Sequence, residues 1–468
     1  MKVFASIYIG SVEATMKVFE VKKGSGLQEI DNLKKPTDII SEILRYKKIS
    51  QETADKLCKM LLDMKRIMGS YKVDGYKVYA NSVLKQASNI YFILDQVKTK
   101  TGFEVEIISN SEQRFLGYQA IASMDGFAEI IKDSAVLVDI GGVSLQLTYF
   151  SNGKLITTQH LDLGIVSVGE HLRKLDSMAN PIEQMNEILN KELDVFKSLY
   201  LTGESLKYMI ISGDLNAAFY TIYFLMQPLK MLHKAIANSL QPKKIITPGV
   251  TTCDGMAYDY CYNNGWLVAE HDFNEDVLSA AWTISKRYGS YQPHLKALEK
   301  LSGMIFDATK KYHGMSDKHR LMMQVIAILH DCGKYISIAE ASSGSYTIIM
   351  SSEILGLSHK EREMIAYTVS YNRKPLENYE ALSDKFTPEE YVIIVKLLAI
   401  LKVANALDRS HKQKSKNVSM TVRDNNLNIT IESQASMALE KGLFSEKADF
   451  FQQIFGIRPV LKEKRLDL

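Results

Sequence analysis

A repeated hairpin constrains this chain more than any other feature. Val3–Ile9 is an apolar run rich in branched residues, closed by Gly10 and Ser11, and Glu13–Val21 resumes as a second strand. Ala135–Ile140 is another such run, closed by Gly141 and Gly142, with Leu145–Phe150 following. A displacement of 131 residues lays Tyr8, Ile9 and Gly10 on Asp139, Ile140 and Gly141. A period that long exceeds the roughly 20–50 residues of a solenoid repeat, so it predicts two similar domains facing each other. A ligand site is expected in the cleft between them.

The segments around the hairpins support layered α/β structure. Thr37–Arg45 and Thr53–Met68 have helical periodicity, Lys77–Ala80 and Glu104–Ile108 read as strands, and a helix is expected from Glu112. In the second copy Met209–Ile211 is a strand ended by Ser212 and Gly213, Leu215–Met226 an apolar helix, and Lys244–Thr247 a last strand. Alternating strands and helices imply α/β layers. From Asp272 onward the pattern turns helical: Val277–Lys286, His294–Thr309, Leu321–Leu329, Lys360–Val369 and Pro388–Leu407. Val418–Val422 and Leu427–Ile431 then flank Asp424-Asn425-Asn426, a hairpin signature.

Composition removes several alternatives. The 468 residues, 46% hydrophobic and 24% charged, suit three or four folding units rather than a disordered chain. The net charge of +3 is too small to imply nucleic-acid binding. Four cysteines, at 58, 253, 261 and 332, show no paired spacing, so neither a disulfide framework nor a zinc ribbon is indicated. No run approaches 18 apolar residues, no secretory leader is legible, and a cytoplasmic protein without membrane attachment is expected.

The strand-glycine turns carry the first chemistry. Glycine permits positive φ and close approach of an anion to backbone N–H groups. Asp139, at the end of such a strand, can hold Mg²⁺ directly or through water while Gly141, Gly142 and Ser144 face phosphate. An ordinary hairpin with a capping Asp is the plainer alternative for any one turn.

At this point the chain resembles the exopolyphosphatase and guanosine pentaphosphate phosphohydrolase family, which shares the two-lobed fold of actin, sugar kinases and Hsp70-type ATPases. The resemblance lies in Ile7–Ser11, Ala80–Asn89, Ile107–Tyr118, Val138–Leu147, Leu163–Ser167, Ile211–Ala218 and Asp254-Gly255, taken in order. It implies duplicated actin-like, ribonuclease H-like lobes over residues 1–122 and 123–270. It also implies Mg²⁺-dependent hydrolysis of a terminal phosphoanhydride in polyphosphate or a guanine nucleotide, and a homodimer. Carried over by position, Asp139 matches the metal-associated Asp, and Gly10, Ser11, Gly141, Gly142, Ser144, Ser212 and Gly213 match the phosphate turns.

Other positions depart from the family's pattern. Tyr8 stands where the resemblance expects Asp, and Val12 and Glu13 stand for Asn and Ser. The proposed base aligns with Gln113, and the Glu of the second turn with Gln146. An amide cannot take a proton at neutral pH, so Gln113 cannot serve as general base. Glu112, next to it, is either a surrogate base or a solvated helix-start residue. The expected activity is therefore attenuated.

The helical part, 271–414, carries a second constellation. His294, His330-Asp331 and Asp408 resemble the metal-ligand pattern of HD-superfamily phosphohydrolases, strengthened by Cys332-Gly333-Lys334. Imidazoles and carboxylates together suit one divalent transition metal; a buried hydrogen-bonded His-Asp pair is the bland alternative. His160, His171, His233, His271, His313, His319, His359 and His411 fit no spacing and default to structural roles. A small α+β tail over 415–468 completes the expected architecture. Two readings from other classes stand beside the hydrolase: a non-catalytic phosphate or nucleotide sensor, and a metal phosphohydrolase working only through the HD-like part.

Overall fold

The structure is a computed structural model that describes residues 2–10, 13–22, 26–37, 39–142, 144–175, 180–203, 205–212 and 226–465. Two compact units divide the chain, Met1–Phe273 and Asn274–Leu468. The expected α/β class is present, with the duplication in the first unit and the helix-rich part in the second.

The first copy is a five-stranded sheet in the order β3-β2-β1-β4-β5. Its strands are β1 (Lys2–Ile9), β2 (Glu13–Lys22), β3 (Gly26–Pro36), β4 (Gly75–Ala80) and β5 (Glu106–Ile107). β1 runs antiparallel to β2 and parallel to β4. Both faces of β1 are covered, which is why it reads as an unbroken apolar run rather than an alternating one. On one face Ile7, Ile9, Val78, Leu61 and Val97 share a core with α1 (Ile39–Tyr46), α2 (Gln51–Ser70) and α3 (Ile90–Thr101). On the other, Phe4, Phe19 and Val21 meet Ala257 and Cys261.

The second copy repeats this plan. β6 (Ala135–Ile140), β7 (Leu145–Ser151), β8 (Lys154–Leu161), β9 (Tyr208–Ile211) and β10 (Lys244–Ile246) form a sheet ordered β10-β9-β6-β7-β8. β6 is antiparallel to β7 and parallel to β9, and Ile140 faces Leu145 just as Ile9 faces Ala14. The 131-residue offset of the sequence is thus the offset of the strand register. Val138, Leu147, Met209 and Leu232 form the core on one face with α6 (Ile165–Leu175), α7 (Pro181–Tyr200) and α8 (Met226–Leu240). The expected apolar helix over 215–225 lies outside the described residues, as do Ser11, Val12 and Gly213.

Two helices bind the copies together: α4 (Asn110–Ala122), and α9 (Thr252–Asn263), which lies on β1 and β2 of the first sheet. Gly255 lets them cross closely, since a Cβ there would lie 1.9 Å from the Leu116 carbonyl oxygen. At the far end of α4, Tyr118 packs against Phe150 and Phe127 of the short α5 (Phe127–Lys132).

The second unit is built around α16 (Pro388–Leu407), a helix apolar on nearly every side and therefore central. Packed on it are α11 (Gln292–Ala308), α13 (Asp317–Leu329), α15 (His359–Ser370) and α17 (Ala438–Phe455), and the helical set also includes α10 (Phe273–Arg287), α12 (Lys310–His313) and α14 (Ala341–Ser351). A sheet of β11 (Ser415–Arg423), β12 (Asn426–Ser433) and β13 (Arg458–Arg465), in that order, closes it. Asp424 and Asn425, with φ of 52° and 56°, make the two-residue turn that the sequence announces.

Candidate functional site

The two glycine turns have the same local construction. The Gly10 N–H donates to the Glu13 carbonyl at 2.8 Å, and the Gly141 N–H to the Ser144 carbonyl at 2.9 Å. A Cβ would lie 2.8 Å from that carbonyl oxygen at position 10 and 3.1 Å at position 141. Close approach is therefore what demands glycine, since neither residue, nor Gly142, lies in the left-handed region. The consequence revises the expected amide cradle: the N–H groups of Gly10 and Gly141 are spent closing their own hairpins. The Gly141 and Gly142 carbonyls meanwhile accept from the first amides of α6, Ile165 and Val166.

The start of α4 faces both turns. Ser109 Oγ accepts from the Glu112 N–H at 3.2 Å, and Glu112 Oε2 from the Ser109 N–H at 2.7 Å, a reciprocal cap. This puts the Glu112 carboxylate on the helix's own N-terminus. Gln113 Oε1 accepts from Asn81 Nδ2 at 2.9 Å, and the same Nδ2 donates to Tyr8 Oη at 3.0 Å. Asn81 itself is fixed because its Oδ1 accepts from Val83 N–H at 2.9 Å. Burial pushes the Tyr8 hydroxyl far above its ordinary pKa; the Asn81 bond opposes this and the Asp139 charge adds to it. Where the resemblance expects an ionised pair, Asp and Glu, this chain has a neutral phenol-amide-amide chain.

Arg114, the next residue, was not singled out by the sequence, yet it organises the second turn. Its Nε lies 3.2 Å from Asp139 Oδ2, Nη2 donates to Ser144 Oγ at 2.7 Å, and Nη1 donates to Gln146 Oε1 at 3.2 Å. Nη1 also lies 2.6 Å from His160 Nδ1. The Arg114 side chain is 9% exposed and that of Asp139 28%. Burial raises the Asp139 carboxyl, and the adjacent guanidinium opposes that rise. Ser212, the last described residue of its turn, lies beside α4: a Cβ on Gly117 would be 3.5 Å from its Oγ.

The described residues of the second turn do not fit a Mg²⁺ ion. Mg²⁺ requires an octahedron of oxygens, usually anchored by carboxylates. Here Asp139 is the carboxylate of the second turn, its Oδ2 faces a guanidinium, and the flanking family carboxylates are Gln113 and Gln146.

In the second unit the fold brings His294, His330 and Asp331 together, with candidate ligand atoms within 4.8 Å of one another. His294 comes from α11, while His330 and Asp331 sit at the end of α13. The turn after Asp331 packs tightly on α14, where a Cβ on Gly333 would lie 2.1 Å from Ala341 O and Ser345 N. His294 Nδ1 lies 2.7 Å from Asp408 Oδ2, and His330 Nδ1 3.0 Å from the Ala327 carbonyl. Each Nδ1 is therefore engaged as a donor, and both Nε2 atoms are buried without a hydrogen-bond partner, that of His330 lying 3.4 Å from Asp331 Oδ2. Burial pulls the His330 pKa down to about 4, so the ring is neutral and its Nε2 lone pair free to be donated. The two imidazoles thus suit a transition ion. Asp408 serves it from behind: its oxygens accept from Gln413 N at 2.9 Å and Nε2 at 3.0 Å besides meeting His294.

His411, assigned no role from its spacing, stacks on His294 with ring centroids 3.6 Å apart. Asp331 is further held by Lys334 and by Arg373 at 3.2 Å. A cavity of about 410 Å³ opens there, lined by Asp331, Lys334, Arg373, Arg409 and His411.

Comparison with known proteins covers most of the chain. The model of the Ppx/GppA phosphatase family matches residues 17–248, and the model of Ppx/GppA phosphatase domain III matches residues 281–448. Among solved structures, the Ppx/GppA family member of Aquifex aeolicus aligns at 17% identity and a TM-score of 0.46, over 58% of this chain and 99% of that one. An exopolyphosphatase from Cytophaga hutchinsonii aligns at 14% identity and a TM-score of 0.40, over 56% and 98%. An ROK hexokinase from Thermus thermophilus aligns at 11% and 0.32, over 56% and 99%. Neither the sensor nor a hydrolase confined to the helical part is favoured by these matches.

Proposed function

Because this chain belongs to the Ppx/GppA phosphatase family, we propose that the cleft of its first unit binds the terminal phosphoanhydride of polyphosphate or of a guanosine pentaphosphate-type nucleotide and hydrolyses it slowly. The observation that carries this reading is the start of α4, where the Arg114 guanidinium reaches Asp139, Ser144 and Gln146 of the second glycine turn while Gln113 meets Asn81 beside Tyr8 of the first. A cationic donor with hydroxyl neighbours, Arg114 and Ser144, suits a phosphoryl group. Gly10, Gly141 and Gly142 shape the turns, and Ser212 adds a hydroxyl beside α4; Ser11 and Gly213 belong to the same proposed turns in sequence.

Slowness follows from the missing base. Gln113 orients a water at best, and Glu112 is engaged in its cap. The test is phosphate release from polyphosphate by the wild type and by Gln113→Glu. Glu keeps one oxygen for Asn81 and presents a second to water, so release should rise by about 10²-fold, the lower range of general-base effects. Equal and fast rates would end the argument for attenuation.

The buried histidines of the second unit support a further part of this reading. His294 Nε2, His330 Nε2 and Asp331 would hold one divalent transition metal, with Asp408 orienting His294. When bound, such an ion polarises water or phosphoryl oxygen. Metal analysis of the purified chain should find about one equivalent, lost in His330→Ala. Absence of metal from protein grown with ample zinc and manganese would leave the cluster a structural pair. A homodimer in the cytoplasm remains part of the proposal, testable by light scattering and fractionation. No described helix is long and apolar enough to cross a membrane.

A further inference from the structure

We infer that Arg114 is the resident cation of the cleft, so that phosphoanhydride binding there needs no divalent metal. This rests on the phosphoanhydride reading above. In a Mg²⁺ site, the ion stands between a protein carboxylate and phosphate oxygens and cancels their repulsion. The Arg114 guanidinium already stands beside the carboxylate in question, with Nε 3.2 Å from Asp139 Oδ2. Its other edge is turned along the glycine turn, toward Ser144 Oγ at 2.7 Å and Ser144 O at 3.5 Å.

Position and charge support the same assignment. The side chain leaves α4 one residue after Gln113 and is almost wholly buried, so it is held in the site rather than sampling solvent. Gln146 and His160 fix the remaining nitrogen. Replacing the Glu expected at 146 by Gln removes a negative charge that would have drawn the guanidinium away from a phosphate. The 3.5 Å contact to the Ser144 carbonyl is at the limit of a hydrogen bond and is readily exchanged for a phosphate oxygen. A planar fork binding carboxylate on one side and phosphate on the other is within the guanidinium's geometry.

The experiment is calorimetric titration of the intact chain with sodium tripolyphosphate, in EDTA and in excess MgCl₂. Wild type should bind in EDTA. Arg114→Met, of similar length without charge, should weaken binding in EDTA by at least about tenfold, as expected for loss of a charge-assisted pair. Arg114→Lys, which keeps the charge, should retain most of it. Binding that appears only with Mg²⁺, or that is indifferent to Arg114→Met in EDTA, overturns the inference while leaving the phosphoanhydride reading intact. Binding lost on Arg373→Ala or Arg409→Ala instead would place the ligand in the second unit and also overturn it. No binding in either buffer defeats the phosphoanhydride reading itself. Melting curves of both Arg114 variants confirm that each is folded, and the Lys variant decides if the Met variant is not.

Discussion

His313 shows how a residue that spacing leaves without a role acquires one through packing. Its Nδ1 accepts from the Met315 N–H at 2.9 Å, and its Nε2 donates to the Phe306 carbonyl at 3.0 Å, so the ring must carry a single proton. Burial holds its pKa below the ordinary value, and Lys396, bonded to the His313 carbonyl, adds to the effect. The unfolded chain therefore takes up a proton near about pH 6.5 that the folded chain refuses. That stability is complete above this pH and is lost as pH falls toward the folded value. The melting temperature should fall from about pH 7.5 to about pH 5.5, and His313→Gln should flatten the fall; an unchanged slope would assign the effect elsewhere. The same distinction governs the candidate site. Asp139 was legible because it sits beside a glycine turn, and Gln113 because the resemblance aligns it with the family's base. Arg114 was not, because a lone arginine in a helix's first turns reads as solvated. Only the fold brings residues from 114, 139, 144, 146 and 160 to one point.

Among elements, the ones that burial dictates were readable. β6 spans the residues expected of it, Ala135–Ile140, and α16 matches Pro388–Leu407, since both are continuous apolar segments with clear ends. β3 was missed because Gly26–Pro36 is a largely exposed, charged edge strand whose composition discourages pairing rather than signalling it. β13 and α17 lacked a cue of the same kind, as β13 joins its sheet in parallel without a turn to mark it. The crossing of α4 and α9 was visible only as Asp254-Gly255, with no hint that Gly255 sits against the Leu116 carbonyl. Gly255→Ala should cost at least about 2 kcal/mol, since backbone rather than a flexible side chain opposes the added methyl. A drop of that size in chemical denaturation should come with weaker tripolyphosphate binding, because α4 carries Gln113 and Arg114. Wild-type stability in Gly255→Ala would show that the helices do not cross so closely.

At the scale of the whole molecule, duplication explains the first unit, and the apolar α16 with the helices packed on it the second. Residues 1–273 hold the sheets of both copies, both glycine turns and, among the described residues, the side chains bonded to Arg114. Produced alone, that segment should unfold cooperatively and keep tripolyphosphate affinity within about threefold of the full chain. Loss of affinity on removing residues 274–468 would mean that the second unit supplies part of the binding. Where a phosphoanhydride sits decides between the two units. The most direct measurement is a crystal structure of the wild-type chain grown with tripolyphosphate in EDTA. It should show a terminal phosphoryl group hydrogen-bonded to the Arg114 guanidinium beside Ser144; density confined to the Lys334, Arg373 and Arg409 cavity, with Arg114 still on Asp139, would contradict it.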